Sequence, residues 1–171
     1  MKPLEVKQTK SESLSAWSLD SNRSELSFEC KSPGETMELG KRWGAILKAG
    51  DVVALRGNLG SGKTVFVKGL ALGLGIQSKD EVKSPTFVLM HIYPTCIPLY
   101  HFDLYRMEDP RDLEAIGLEE WMNDGQAVTC IEWAEKAEAL LPKSAYHVRI
   151  EILAAEKRKI IFNKNKVIDA E

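Results

Sequence analysis

The chain has 171 residues, 44% of them hydrophobic and 28% charged, which suits one globular domain and leaves little room for a second. Lys and Arg number 23 against 25 Asp and Glu, so no global positive field gathers nucleic acid or an anionic membrane by charge alone. No run approaches the roughly 18 apolar residues of a membrane span, and the first residues lack the apolar core of a signal peptide. Cys30, Cys96 and Cys130 form neither an even disulfide set nor a paired zinc spacing, and a cytoplasmic, reducing setting without membrane association is expected.

In chain order, residues 1–23 are rich in Ser, Lys and Glu without periodic apolar positions and read as a tail. Leu26, Phe28 and Cys30 alternate as in a first strand. Ser32-Pro33-Gly34-Glu35 then matches a capping box with Pro at the first helical position, and predicts a helix to about residue 48. Thr36, Leu39, Trp43, Ile46 and Leu47 would form its buried side, and Gly50 would end it by adopting positive φ. Val52-Val53-Ala54-Leu55 is short, apolar and β-branched, as a strand buried on both faces should be.

A glycine-rich turn follows at once. Gly57-Asn58-Leu59-Gly60-Ser61-Gly62-Lys63-Thr64 satisfies G-x-x-x-x-G-K-[ST] between a buried strand and a helix, the setting in which that pattern cradles phosphate. Its glycines let successive N–H groups face phosphate oxygens, and the following helix offers unpaired N-terminal donors to the same anion. Lys63 supplies a positive charge for the β- and γ-phosphates, and Thr64 a hydroxyl for Mg²⁺. Helical spacing continues over residues 63–74, weakened by Gly69 and Gly73.

Further strands are predicted over residues 86–92, 97–102, 128–132, 146–152 and 159–162, and helices over 110–116, 118–122 and 134–140. This order predicts an α/β fold: a P-loop NTPase-type three-layer sandwich with a largely parallel central sheet and some antiparallel strands. The domain is expected to span residues 24–163, with residues 164–171 a short C-terminal tail.

Two acids close apolar runs, where carboxylates of this fold approach metal or attacking water. Glu132 ends the cleaner strand. Asp103 follows Leu99-Tyr100-His101-Phe102, which Pro98 disfavours as an uninterrupted central strand. Thr86, after Pro85, is either a switch-loop hydroxyl for the γ-phosphate or metal, or part of an ordinary turn. The Asn-Lys pairs at Asn163 and Asn165 lack the Asp of a guanine-binding element, which favours ATP over GTP. Few arginines and little spare length disfavour a small-molecule kinase. That kinase and a nucleotide-gated binding module that does not hydrolyse remain alternatives to an ATPase. Lys157-Arg158-Lys159 offers charge to steer a phosphate or an RNA-bearing partner, but a charge run of this length reads first as a solvated turn, and His101 reads as a hydrogen-bonded strand residue rather than a base.

GNLGSGKT, SPTFVL, HFDLYRMEDP and IEWAEK, in this order after a TMELG helix, resemble the TsaE family, also called YjeE, over residues 33–142. The P-loop is widespread, whereas the SPTF and HFDLYR elements are far more specific. The resemblance implies a bacterial ATPase that acts with the TsaB and TsaD proteins, and with tRNA through that complex. Their product is threonylcarbamoyladenosine beside the anticodon of tRNAs reading codons that begin with A. It also implies that Leu59, Gly60, Ser61, Gly62, Lys63 and Thr64 hold ATP, that Thr64 and Glu132 bind Mg²⁺, that Thr86 is the switch threonine and that Asp103 is the acid needed for hydrolysis. Trp133 matches an aromatic position near the nucleotide, though a core Trp capping a strand end is an equal reading. Asn58, Val65 and Ala134 depart from the family's common residues without removing any of these groups.

Overall fold

The computed structural model describes residues 25–164; both proposed tails fall outside them, apart from Lys164. Seven strands form one sheet: β1 (Glu25–Cys30), β2 (Val52–Arg56), β3 (Met90–Tyr93), β4 (Leu99–Asp103), β5 (Val128–Glu132), β6 (Tyr146–Ile152) and β7 (Arg158–Lys164). Their spatial order is β1-β7-β6-β2-β5-β4-β3. The inner strands β6, β2, β5 and β4 run parallel, and antiparallel strands close both sides, β7 and β1 at one edge and β3 at the other.

The alternation of β2 divides the core into two layers, because successive side chains leave opposite faces of a strand. Val53 and Leu55 join Phe28, Trp43, Phe66, Leu70 and Phe162 under helices α1 (Pro33–Gly44) and α2 (Lys63–Gly73). Val52 and Ala54 join Phe102, Leu113, Leu118 and Ile131 on the other face. That face is covered by α3 (Pro110–Ala115), α4 (Leu118–Asn123) and a kinked 3₁₀ segment, Ala134–Leu140. Trp43 anchors the first layer, its ring 5.0 Å from Phe162 and 5.9 Å from Phe66, at inclined angles that aromatic quadrupoles favour.

Helix α1 starts as the sequence predicts, but its cap differs in one bond. Ser32 Oγ accepts from Glu35 N–H at 3.2 Å, whereas Glu35 Oε2 accepts from Lys31 N–H at 2.7 Å, one residue before the reciprocal partner of a capping box. The helix also ends at Gly44, earlier than residue 48, although Leu47 is still buried and Gly50 has φ 90°.

The glycines that weaken α2 as an isolated helix explain how it packs. A Cβ on Gly69 would stand 2.0 Å from Met37 O, and on Gly73 2.2 Å from Lys41 O. In return, a Cβ on Gly40 would stand 2.4 Å from Phe66 O and on Gly44 2.3 Å from Leu70 O. Each helix thus carries two glycines four residues apart, and the two backbones touch directly.

Two strand expectations need correction. Residues 86–89 are not strand: Pro85 O accepts from Val88 N–H at 3.0 Å in a turn, and Leu89 sits at φ 73° before β3 begins at Met90. The β-favouring side chains Phe87 and Val88 point outward, 83% and 61% exposed. Pro98 does not interrupt β4, which lies between β5 and β3. It precedes the strand and uses only its carbonyl, accepting from Val128 N–H at 2.8 Å. Among the described residues no helix is long and apolar enough to cross a membrane.

Candidate nucleotide-binding site

Parallel strands direct their C-terminal ends to one edge of the sheet, and three of those ends form the site. The loop after β2 begins at Gly57, and Glu132 ends β5 in register with Leu55 and with Asp103, the last residue of β4. A cleft of about 370 Å³ opens there, within the size range of small-ligand sites. Leu59, Gly60, Gly62, Lys63, Thr64, Ser84, Thr86, Asp103, Tyr105, Glu132 and Trp133 all border it. Of the residues expected from sequence to form the site, Ser61 alone does not border the cleft; it is fully buried behind the loop, its hydroxyl against Gly57.

The two long helices begin in opposite ways. Helix α1 is closed by the Ser32 side chain, and Glu35 lies in its first turn. Helix α2 starts from Gly62 at φ 100°, with no side-chain cap and no acid in its first turn. Its leading N–H groups are therefore left to an external acceptor, for which an anion is best matched by the helix dipole. A Cβ on Gly60 would meet nothing within 4 Å, so φ 76° and not lack of space calls for glycine there.

Lys63 is 5% exposed. Its Nζ donates to Gly57 O at 2.6 Å and Asn58 O at 3.1 Å, and lies 3.9 Å from the centre of the Trp133 ring. Burial pushes its pKa down, while Glu132, Glu135 and Asp103 pull it back up. Trp133 itself lies in the left-handed region at φ 59°. There β5 turns into the 3₁₀ segment, and the ring is half-buried at the cleft wall, 5.1 Å from Tyr105. The Trp133 ring both packs against the second core layer and borders the cleft.

Thr64 Oγ1 donates to the Glu132 carboxylate, 3.0 Å from Oε1 and 3.2 Å from Oε2. His101 Nε2 also reaches Glu132 Oε1, at 2.8 Å. A second cluster surrounds Asp103, whose Oδ2 lies 2.6 Å from both Ser84 Oγ and Thr86 Oγ1. Those hydroxyls are 2.7 Å from each other, and Asp103 Oδ1 accepts from Tyr105 N–H at 2.9 Å.

Sequence reasoning gave His101 its hydrogen-bonded strand role but no place at the site, and it left out Ser84. His101 and Asp103 are two residues apart on one strand and so share a face, a period-two signal that marks His101 for the site. Ser84 stands two residues before Thr86, but its role depends on the fold of the turn. Arg158 is not in a solvated turn: it donates from Nε to Ser61 O at 2.8 Å and from Nη2 to Gly60 O at 3.2 Å.

Fold and site together define a P-loop α/β protein with acids on the two neighbouring strand ends. A model of the family "Threonylcarbamoyl adenosine biosynthesis protein TsaE" matches residues 30–160, and the chain belongs to the TsaE family. The tRNA threonylcarbamoyladenosine biosynthesis protein TsaE of Bacillus subtilis is 42% identical over 139 residues, covering 81% of this chain and 85% of that one. The protein of the same name from Treponema pallidum is 42% identical over 130 residues, covering 76% and 94%. The crystal structure of Bacillus subtilis YdiB superposes with a TM-score of 0.68 at 36% identity, covering 83% of this chain and 86% of that chain.

Proposed function

We propose that this chain is a Mg²⁺-dependent ATPase that acts with TsaB and TsaD proteins in forming the threonylcarbamoyl group on the adenosine beside the anticodon. The observation that carries this reading is the alignment of an uncapped, glycine-rich helix start with Glu132 and Asp103 on adjacent strand ends. Family membership supplies the pathway.

The residues present fit both ATP and its metal. The open N-terminus of α2 and Lys63 suit the phosphates. Thr64 and Glu132 form a hard-oxygen pair suited to Mg²⁺, which when bound neutralises charge on the phosphate oxygens. No group of three or more His, Cys, Asp or Glu placed to hold a metal occurs among the described residues. That agrees with an ion held by one carboxylate, one hydroxyl, substrate oxygens and water, rather than by an all-protein cage. Asp103, at the cleft wall, is placed to orient water or take its proton.

Thr86 is suited to a switch. Thr86 Oγ1 is held within a triangle of oxygen contacts with Ser84 and Asp103. Release of Thr86 from that triangle frees its hydroxyl for the nucleotide. The same turn carries the exposed Phe87 and Val88, so a change at Thr86 alters the surface offered to a partner. A tenfold change in partner affinity requires only about 1.4 kcal/mol between the two loop states.

The test is reconstitution with cognate TsaB and TsaD, substrate tRNA, ATP and threonylcarbamoyl donor. Wild-type chain should support repeated rounds of modification, and Lys63→Ala should not. Undiminished multiple turnover without the chain, or with the folded Lys63→Ala form, would refute the proposed role.

A further inference from the structure

We propose that Arg158 is a positioning residue for the phosphate-binding loop, holding its peptide units so that Ser61 N–H closes the loop and Gly62 N–H turns toward the nucleotide. The inference rests on the reading of that loop as a nucleotide site, and goes beyond it by assigning a role to the β6–β7 turn.

Arg158 is the first residue of β7, distant in sequence from the loop but folded against its back. Its guanidinium makes two sets of bonds. Nη1 gathers the carbonyls of its own turn, Ala154 at 2.8 Å, Ala155 at 3.2 Å and Lys157 at 2.9 Å. Nε and Nη2 reach across to Ser61 O and Gly60 O. Nε also lies 4.0 Å from where a Cβ of Gly62 would stand, so the planar group lies along three consecutive residues of the loop.

The direction of these bonds determines what they do. The described residues contain no cis peptide, and in a trans unit the C=O and the following N–H point opposite ways. When Arg158 holds Ser61 O behind the loop, Gly62 N–H faces forward, away from the guanidinium. When it holds Gly60 O, Ser61 N–H is likewise turned away, and that group closes the loop by donating to Asn58 O at 3.1 Å. The loop needs this support from outside. Gly60 and Gly62 are free to adopt other backbone conformations, and the uncapped start of α2 has no side chain that selects one. A rigid five-donor fork is suited to hold two carbonyls and its own turn together, which the single ammonium of lysine does not reproduce.

The experiment compares full-length wild type with R158A, R158K and K63A. Calorimetric titration is run with Mg-ATP and Mg-ADP, and backbone amide hydrogen exchange is followed in each protein without nucleotide. The proposal expects R158A to weaken ATP and ADP by a similar factor of about ten or more, because the backbone cradle serves phosphates common to both. R158K should behave like R158A, since charge without the fork does not orient the peptides. Exchange at Ser61 and Gly62 should quicken in both variants while β6 and β7 keep their protection. If R158A fails to fold, R158K carries the same comparison. Wild-type affinity in R158K would overturn the proposal, as charge alone would then suffice. Loosening of β6 and β7 to the same degree as the loop would also overturn it, by showing a purely structural contact. Loss of ATP binding in K63A together with full binding in R158A refutes the role of Arg158 and leaves the ATPase reading intact. A wild type that binds neither nucleotide refutes both.

Discussion

Glu132 and Asp103 occupy matching positions on neighbouring strands, but their surroundings direct them to different tasks. Glu132 is held by Thr64 from α2 and by buried His101 from β4. For His101 to donate to a carboxylate, Nε2 must carry the proton, and in the neutral ring Nδ1 is then a lone pair. That tautomer fits Nδ1, which is buried without a partner among the described residues, because an orphaned acceptor is less costly than an orphaned N–H. Asp103 is held by hydroxyls of a turn and by one backbone N–H, all close to the cleft. Glu132→Gln is therefore expected to raise the Mg²⁺ concentration needed for half-maximal hydrolysis, and Asp103→Asn to lower kcat by about 100-fold or more at saturating Mg²⁺. Both should keep measurable ATP binding through the loop. An unaltered Mg²⁺ titration for Glu132→Gln would remove it from the metal site, and a near-wild-type kcat for Asp103→Asn would remove Asp103 from the hydrolytic step.

Helices α1 and α2 fix the loop from below, because α2 is both the start of the phosphate site and half of a backbone-to-backbone crossing. Gly69→Ala gains about 1 kcal/mol in helix propensity, but its Cβ would meet a carbonyl oxygen at 2.0 Å that belongs to the facing backbone and cannot rotate away. The helices must separate, at the upper end of the 1–3 kcal/mol or so typical of overpacking. A net loss of about 2 kcal/mol is expected by denaturant unfolding. Gly34→Ala is the control, since its nearest atom is Ser32 Oγ at 3.7 Å, and it should be neutral or mildly stabilising. Equal stabilities for the two variants would disprove the contact. The same pair of helices shows what the sequence discloses. The P-loop, β2 and β5 were legible because pattern and buried apolar run are contiguous. Gly69 and Gly73 looked like weaknesses because their value lies in the partner helix. Residues 86–89 looked like strand because Phe87 and Val88 favour one, yet the turn is set by Asp103 reaching Ser84 and Thr86 from another strand. The hold of Arg158 on Gly60 and Ser61 was unreadable for the same reason, as those two acceptors lie far away in the chain.

At the scale of the whole molecule, Arg56 at the end of β2 links β6 to the 3₁₀ segment through a partly buried polar cluster next to the phosphate loop. Arg56, the last residue of β2, places Nη1 2.6 Å from His147 Nδ1 on β6 and Nη2 against Glu138 of the 3₁₀ segment. Arginine only donates, so His147 Nδ1 must be the acceptor and the ring neutral. Burial and then the Arg56 charge lower the His147 pKa from its ordinary 6.5, against a smaller opposing pull from Glu138. Protonation would set an N–H against the guanidinium and break the join. The unfolded chain takes up this proton near the ordinary value, whereas the folded chain resists until its lower value is reached. As pH falls below the ordinary value, the folded state therefore binds fewer protons than the unfolded chain, and stability declines below about pH 6.5. His91, lowered chiefly by burial, contributes in the same direction, so the measurement must isolate His147. His147→Gln supplies an amide oxygen for Arg56 and does not titrate. Urea unfolding from about pH 7 to about pH 5 should show a shallower loss of stability for His147→Gln than for wild type, whatever their difference at neutral pH. Parallel curves would mean that His147 is not held neutral by this cluster.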